Sequence, residues 1–532
     1  LHFTVSPGFL PVKYFSLYID SGAGWHRCFS ILRMKKLLLP LLLALSFAAC
    51  TGNRAVVSPK NPFPITLIQL NDVYEIAPLQ NGKVGGMARV ASLEQELRAL
   101  NPHTYLLLAG DFLSPSVIGT VKLEGERVQG AQMVDLMNQV GVDWVTFGNH
   151  EFDIKEGALQ KRLDESQFQW IAGNVKHVVN GEEVAFTQRG QALREYAIWE
   201  LGEGRRKVKV GVISVCLDAN QQSFVAYEEV FSSAERAYET LQDSVDFCIA
   251  LTHLALEQDQ ELARRIPELK LIMGGHEHER HQEKVGSVMI TKADANARSA
   301  WVHQLTWTGE ELKLNSTLRE VDTTIVENPA IKQVVAQWEE KAYAAFKVQG
   351  FDLEAEVVVV DEPLDGMEKH IRTRQTNLGQ ALAAGMYEAA GDVDCAIING
   401  GSVRIDDMLS GRITEFDLIR ALPFGGGVLK VDMRGELLLQ VLEAGEGNRG
   451  TGGYLQRHRV EKADGKWFID MQPIQAKRVY RVAITDFLLT GLEANMGFLT
   501  PENDKIQAII HPGSESVLRD IRLVLAEYLK KQ

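Results

Sequence analysis

A chain of 532 residues, 45% apolar and 24% charged, has the make-up of a soluble globular protein and is long enough for two or three domains. The formal net charge of −14, with no long basic run, argues against a nucleic-acid polymer as partner; an anionic substrate would have to be drawn in by local arginines or by metal ions. The five cysteines include no CxxC pair and therefore no structural zinc motif.

Residues 1–33 read as neither signal nor domain: the chain begins at Leu1, and Met34 is the better start, so this segment is expected to be an upstream mis-start. Met34-Lys35-Lys36 is a short basic stretch, and Leu37 to Ala49 is apolar but too short to span a bilayer comfortably. It closes on small residues before Cys50. Residues 34–49 resemble a bacterial lipoprotein signal peptide. That resemblance implies export, cleavage before Cys50, a lipid on its sulfur as the only membrane attachment, and a periplasmic or cell-surface location. Thr51 after the cysteine favours an outer membrane, and an ordinary signal peptide cut nearby is the alternative. Residues 50–63 are polar and proline-punctuated, a tether.

From residue 64 to 325, short apolar runs alternate with helical patterns. The runs are ITLIQL, TYLLLAG, VDWVTFG, FQWIAGN, VKVGVISV, FCIALTHL, LKLIMGG and SVMITKA; ARVASLEQELRAL and QMVDLMNQV carry apolar residues at spacings of three and four. This predicts an α/β domain of layered sheet and helix. Residues 326–351 hold a long helical stretch with no strand beside it, expected to be a connecting helix. A smaller α/β domain follows over 352–532, with helices at NLGQALAAGMYEAAG, TEFDLIRAL and GELLLQVLEAG, strands at DCAIIN, GVLKVDM and RVYRVAIT, a glycine-rich loop from Gly445 to Gly453, and a closing amphipathic helix in SVLRDIRLVLAEYLKK.

In the first domain Asp72, Asp111, Asn149, His253 and His276 each stand just after an apolar run. In open α/β sheets the loops at the carboxyl ends of strands converge on one crevice, so separate stretches of chain would deliver carboxylate, amide and imidazole to one place. That donor set suits divalent ions such as Mn, Zn, Fe or Co. Asp111 could bridge two of them. Such a pair clamps an in-line phosphoryl displacement and generates hydroxide at neutral pH.

The ordered fragments LNDVY, GD, GNHEFD, TH and GGHEH resemble the calcineurin-like metallophosphoesterase signature, and in particular the bacterial 5'-nucleotidase/UDP-sugar hydrolase family. The resemblance implies a four-layer sandwich of two sheets flanked by helices, and two divalent ions (Mn, Zn, Fe, Co or Mg). Asp72, Asp111 and His278 would serve one ion; Asp111, Asn149, His253 and His276 would serve the other. His150 and Asp153 match the catalytic pair, the imidazole assisting the phosphoryl oxygens or the leaving group and the carboxylate orienting it. The departure is Tyr74, where the family has histidine. Three roles are open to it: a phenolate ligand, a ring stacked beside a metal held by the other residues, or a weakened first site that leaves one metal. A phenol must lose a proton to ligate, so a neutral, non-ligating Tyr74 is the expectation for divalent ions.

The resemblance continues through RTRQTNLGQALAAGM, IINGGSVR, GRITEFDLIRALPFGG and VAITDFLLTG, which are similar to the family's C-terminal nucleotide-binding domain. It implies that Asn399 and Arg404 hold the substrate, that Arg372 or Arg374 adds a cation, and that Phe424 and Phe498 stack on the base, although the glycine pair usual near Phe498 is missing. The expected activity is release of phosphate from nucleoside 5'-monophosphates or related nucleotides by metal-hydroxide attack, in a monomer. The alternatives are a nucleotide-sugar or cyclic-nucleotide phosphodiesterase, and a non-catalytic surface lipoprotein that binds nucleotides or serves in adhesion.

Overall fold

The computed structural model describes residues 57–204 and 206–532, so the expectations for residues 1–56 lie outside it. The expected tether ends slightly early, because Phe63 already belongs to the first strand, β1 (Phe63–Leu70). Helix α1 (Met87–Leu100), strand β2 (Thr104–Ala109), α2 (Ala131–Val140), β3 (Trp144–Thr146), α3 (Glu156–Glu165) and β4 (Gln169–Ile171) follow. The four strands pair in parallel in sequence order, with a helix making each return. Buried on both faces, they read as near-continuous apolar runs.

A second sheet is built from β5 (Tyr196–Glu203), β6 (Arg206–Cys216), β7 (Phe247–His253), β8 (Leu271–Met273), β9 (His281–Val285) and β10 (Val288–Lys292), in the order β5-β6-β7-β8-β10-β9. Helices α4 (Val230–Leu241) and α5 (Leu256–Arg265) cover its outer face. Two further strands, β11 (Ser299–Trp307) and β12 (Leu312–Glu320), return to the first sheet, and β11 pairs antiparallel with β1. Phe63, Ile65, Leu67 and Leu107 of the first sheet meet Trp199, Val210, Ile249 and Leu251 of the second in a common core. Ile68, Leu106 and Val145 turn the other way, toward Val90, Leu93, Met133 and Leu163 of the helices. The result is helix, sheet, sheet, helix.

Polar side chains fix the two sheets to each other near the ends of their strands. Thr146 Oγ1 and Ser214 Oγ are 2.6 Å apart. Buried Gln69 donates to the carbonyls of Gly274 and Thr291, and its amide oxygen accepts from Thr291 Oγ1 and lies 3.0 Å from His303 Nε2. With no charge nearby to favour its cation, buried His303 is pushed down to about 3 and stays neutral.

Helix α6 (Pro329–Val348) starts on an Asn-Pro signal: Asn328 accepts from the amides of Ala330 and Ile331, and proline occupies the first turn, where no N–H is needed. It buries Ile331, Val335, Ala342 and Phe346 against the helical layer of the first domain, and Trp338 Nε1 donates to Asp135 at 2.9 Å.

In the C-terminal domain a ribbon pairs β13 (Glu356–Asp365) with β15 (Met408–Thr414). The main sheet has β14 (Cys395–Asn399), β16 (Val428–Arg434), β17 (Leu455–His458), β18 (Val479–Thr485) and β19 (Ile506–Ile510) in the order β17-β14-β18-β16-β19. Helices α7 (Asn377–Ala390) and α10 (Ile521–Leu529) pack on one face, α9 (Gly435–Gly447) packs on the other, and the short α8 (Glu415–Ala421) lies beside the ribbon. Two local expectations differ. The glycine-rich loop begins later than Gly445, because α9 runs through Gly447; a Cβ on Gly445 would stand 2.5 Å from Leu455, so glycine is what lets the helix lie flush on its neighbour. The closing helix breaks at Asp520, whose carboxylate caps α10 by accepting from the Arg522 amide, leaving a separate turn at Val517–Arg519. Cys216, Cys248 and Cys395 are buried free thiols. No helix among the described residues is long and apolar enough to cross a membrane.

Candidate active site and metal centre

The candidate ligands gather at the carboxyl ends of the central strands. Asp72 and Asp111 turn out of β1 and β2 with φ of 53° and 58°, and His276 leaves β8 at φ 82°. These are left-handed conformations that side chains adopt at a cost of roughly 1–2 kcal/mol. The glycines between strand and ligand have a steric reason. A Cβ on Gly148 would stand 2.2 Å from Asp111 Oδ1, and one on Gly275 would stand 2.2 Å from the Ala109 carbonyl.

Backbone and side-chain partners hold the ligands from behind. Asn71 donates to Asp72 Oδ2 at 2.8 Å, and its side-chain amide also pairs with the backbone N–H and carbonyl of Ala293. The His150 and His276 amides donate to Asp111 Oδ1 and Asp72 Oδ2 at 2.7 and 3.0 Å. His253 Nδ1 donates to the Ala109 carbonyl at 2.8 Å, which fixes the tautomer and directs Nε2 toward Asp111 Oδ2, 3.1 Å away. Glu151, unforeseen in the sequence, is fully buried; its carboxylate accepts from the amides of Asp111, Phe112, Leu113 and Gly148 at 2.7–3.1 Å. Burial and the nearby Asp111 charge push it up to about 7 against those hydrogen bonds.

The donor set fits a divalent cation. Ligand atoms of Asp72, Asp111 and His253 all lie within 4.8 Å of one another. One buried atom of the ligand type, Asn149 Oδ1, has no hydrogen-bond partner, which buried polar atoms rarely tolerate unless something else meets them. Burial alone would lower His253, but the Asp111 and Asp72 carboxylates lift it to about 9, a measure of how strongly the cluster calls for positive charge. His276 packs edge-to-face on His253 with centroids 5.5 Å apart. His278 Nε2 lies 3.4 Å from Asp72 Oδ1.

Tyr74 stands inside this group. Its hydroxyl is 3.2 Å from Asp72 Oδ1, 3.3 Å from Asp111 Oδ2 and 3.1 Å from His278 Nε2. Burial first, then the two carboxylates, pushes the phenol well above its ordinary range, so the surroundings favour a neutral hydroxyl. Tyr74→His would place a nitrogen donor there without a proton to displace, and Mn²⁺ affinity measured by calorimetry is expected to rise; unchanged affinity would make tyrosine a competent replacement.

His150 and Asp153 form a pair at 2.7 Å through Nδ1 and Oδ2, and Asn220 donates to the other carboxylate oxygen at 2.7 Å and to the Asn149 carbonyl at 3.0 Å. Burial works against the imidazolium, but Asp153 and Asp111 raise His150 overall. Arg404, from the C-terminal domain, lies 3.2 Å from Asp153 Oδ2 and 3.1 Å from His150 Nδ1.

A cavity of about 570 Å³ opens over these groups, with Asp111, Asn149, His150 and His276 on one side and Arg372 and Arg404 on the other. Arg374 lies elsewhere, paired with Asp365 at 3.1 Å. A second cavity, about 450 Å³, is lined by Asn399, Ser402, Arg404, Phe424, Phe487 and Glu493. Phe424 is 62% exposed and Phe487 41%. Glu493 accepts from Asn399 Nδ2 at 2.7 Å. Phe498 does not line this cavity; it packs, half-buried, against the core beneath α9. Phe487 lies inside the quoted VAITDFLLTG stretch, so its signal was present.

The calcineurin-like phosphoesterase family matches residues 65–280, and the family described as 5'-nucleotidase, C-terminal domain matches residues 356–498. The trifunctional nucleotide phosphoesterase protein YfkN of Bacillus subtilis (strain 168) is 27% identical over 433 residues, covering 73% of this chain and 28% of that protein. The 5'-nucleotidase of Bos taurus is 24% identical over 523 residues, 84% of this chain and 86% of its own. The crystal structure of a 5'-nucleotidase precursor from Thermus thermophilus superposes with a TM-score of 0.68 at 21% identity, covering 88% of this chain and 96% of that one. With a calcineurin-like phosphoesterase match followed in order by a 5'-nucleotidase C-terminal match, the chain has the two-domain architecture of the 5'-nucleotidase metallophosphoesterase hydrolases.

Proposed function

We propose that this chain is an exported, metal-dependent phosphohydrolase that releases phosphate from nucleoside 5'-monophosphates or related nucleotides. One observation carries the reading: Arg404 lines both cavities, so a phosphate among the metal ligands and a base beside Phe424 can belong to one molecule. Asp72, Asp111, Asn149, His253, His276 and His278 would hold one or two divalent ions drawn from Mn, Zn, Fe, Co or Mg. Bound there, the ions supply Lewis acidity and a nucleophile at neutral pH. Arg372 and Arg404 bring guanidinium groups that suit phosphoryl oxygens. His150, oriented by Asp153, is placed to stabilise the charge that develops and to protonate the departing ester oxygen. Phe424 and Phe487 offer aromatic faces to a base, and Asn399 and Glu493 offer polar atoms to the sugar or base edge. The lipid on Cys50 would keep a monomer at the periplasmic or outer surface.

The test is phosphate release from AMP by protein stripped of metal and then reloaded with Mn²⁺. Release only after reloading is the expected result; AMP bound without turnover would identify a nucleotide-binding protein instead. The description of the Bacillus relative as trifunctional favours a second reading, in which phosphodiesters such as nucleotide sugars or cyclic nucleotides are also cleaved. A UDP-sugar assay separates the two, because a diesterase yields UMP and a sugar phosphate before any inorganic phosphate.

A further inference from the structure

The C-terminal domain touches a candidate metal ligand through Asp406. This residue lies between β14 and β15, two positions after Arg404, and its backbone is left-handed with φ of 38°. One carboxylate oxygen accepts from the Glu368 amide, within its own domain. The other lies 2.9 Å from Nδ1 of His278, across the domain boundary. The opposite nitrogen of the same ring, Nε2, faces Asp72 Oδ1 and the Tyr74 hydroxyl.

That is the arrangement a metal-binding imidazole needs. One nitrogen ligates while the other donates to an oxygen, which fixes the tautomer, aims the ring and raises its basicity. His253 receives this partner from its own domain, the Ala109 carbonyl. His278 receives it from the other domain. We propose that Asp406 is a positioning residue for His278, so that the Asp72–His278 side of the metal centre is completed by the C-terminal domain. The proposal rests on the reading of His278 as a ligand.

A consequence follows from thermodynamic linkage. If the domain arrangement that brings Asp406 to His278 strengthens metal binding, the metal must favour that arrangement by the same factor. Holding the substrate domain against the catalytic domain and holding the ion then become one equilibrium. Tyr74 makes the contribution matter more: with a neutral phenol among Asp72, Asp111 and His278, this side of the centre depends on a well-oriented His278.

The experiment titrates the metal-free full chain with Mn²⁺ by calorimetry, in wild type, Asp406→Ala, Asp406→Asn and Arg412→Ala. Arg412 crosses the same boundary, donating to Asn81 Oδ1 at 3.2 Å; its other partners, Glu356 and the Glu354 carbonyl, lie in its own domain, and it touches no ligand. Loss of an outer partner weakens metal binding by about 10- to 100-fold, and that loss is expected for one ion in Asp406→Ala. Asp406→Asn, whose amide oxygen still accepts from Nδ1, should lose less, and Arg412→Ala, which loosens the boundary without touching His278, should show only the smaller loss that linkage passes on. Wild-type affinity and stoichiometry in Asp406→Ala would overturn the proposal, and so would an equal loss in Arg412→Ala. Thermal melting of each metal-free variant checks folding; should alanine not be tolerated, Asp406→Ser, too short to reach the ring, decides in its place. Because the readout is metal binding, a chain that fails to hydrolyse AMP still answers the question. AMP hydrolysis beside an unaffected Asp406→Ala refutes this proposal alone, and a wild-type chain that takes up no Mn²⁺ overturns it together with the ligand reading.

Discussion

Replacing His150 by alanine is expected to lower turnover of the metal-loaded protein by about 10²- to 10⁴-fold, the usual contribution of a positioned acid or base. The side chain is anchored for work rather than for packing. It sits at the start of a short turn, His150–Asp153, its Nδ1 is held by Asp153, and its ring borders the cavity over the ligands. Its amide, not its imidazole, holds Asp111 in place, so alanine keeps that hydrogen bond. Metal stoichiometry and melting temperature should therefore stay near wild type while kcat falls. A kcat near wild type would remove His150 from the mechanism. A parallel loss of bound metal would mean that the ring acts through the ligands instead.

Glu151, the next residue, should behave in the opposite way. Glu151→Ala is expected to unfold the protein or to lower its melting temperature sharply, before any question of catalysis arises. Its carboxylate satisfies four backbone amides in a dry interior. Each buried donor left unpaired costs about 1–3 kcal/mol. Even with relaxation and entering water the total is on the order of 5 kcal/mol, comparable with the whole stability of many domains, about 5–15 kcal/mol. Glu151→Gln keeps the shape but turns an NH₂ toward two of the donors, and should recover only part of the loss. The loops carrying Asp111 and Asn149 both hang on this carboxylate, so a folded Glu151→Gln protein should also bind Mn²⁺ more weakly. A melting temperature within a few degrees of wild type for Glu151→Ala would refute the argument.

The contrast between these neighbours explains what the sequence could and could not reveal. The central strands were legible because sheets covered on both faces leave uninterrupted apolar runs, and the ligands were legible because each run stops on an oxygen or nitrogen donor. Strands β11 and β12 went unread, although LKLNSTLRE alternates with the period of an edge strand. Glu151 has no pattern to betray it: a carboxylate that serves backbone amides can stand anywhere two loops converge, and GNHEFD draws attention to its histidine. Arg372 and Arg374 differ by two positions, and only the short turn at Glu368–Ile371 decides which faces the cavity. Phe487 and Phe498 both follow β18; the path of the loop after Gly491, at φ 72°, settles which one reaches the second cavity. Asp406 matters through a partner in the other domain, which local pattern cannot foresee.

Asp72, Asp111 and His276 occupy backbone that glycine or asparagine would hold with less strain. The fold carries this strain whether or not an ion is present, so the three donors are aimed at the crevice in advance and binding there need not reorganise the backbone.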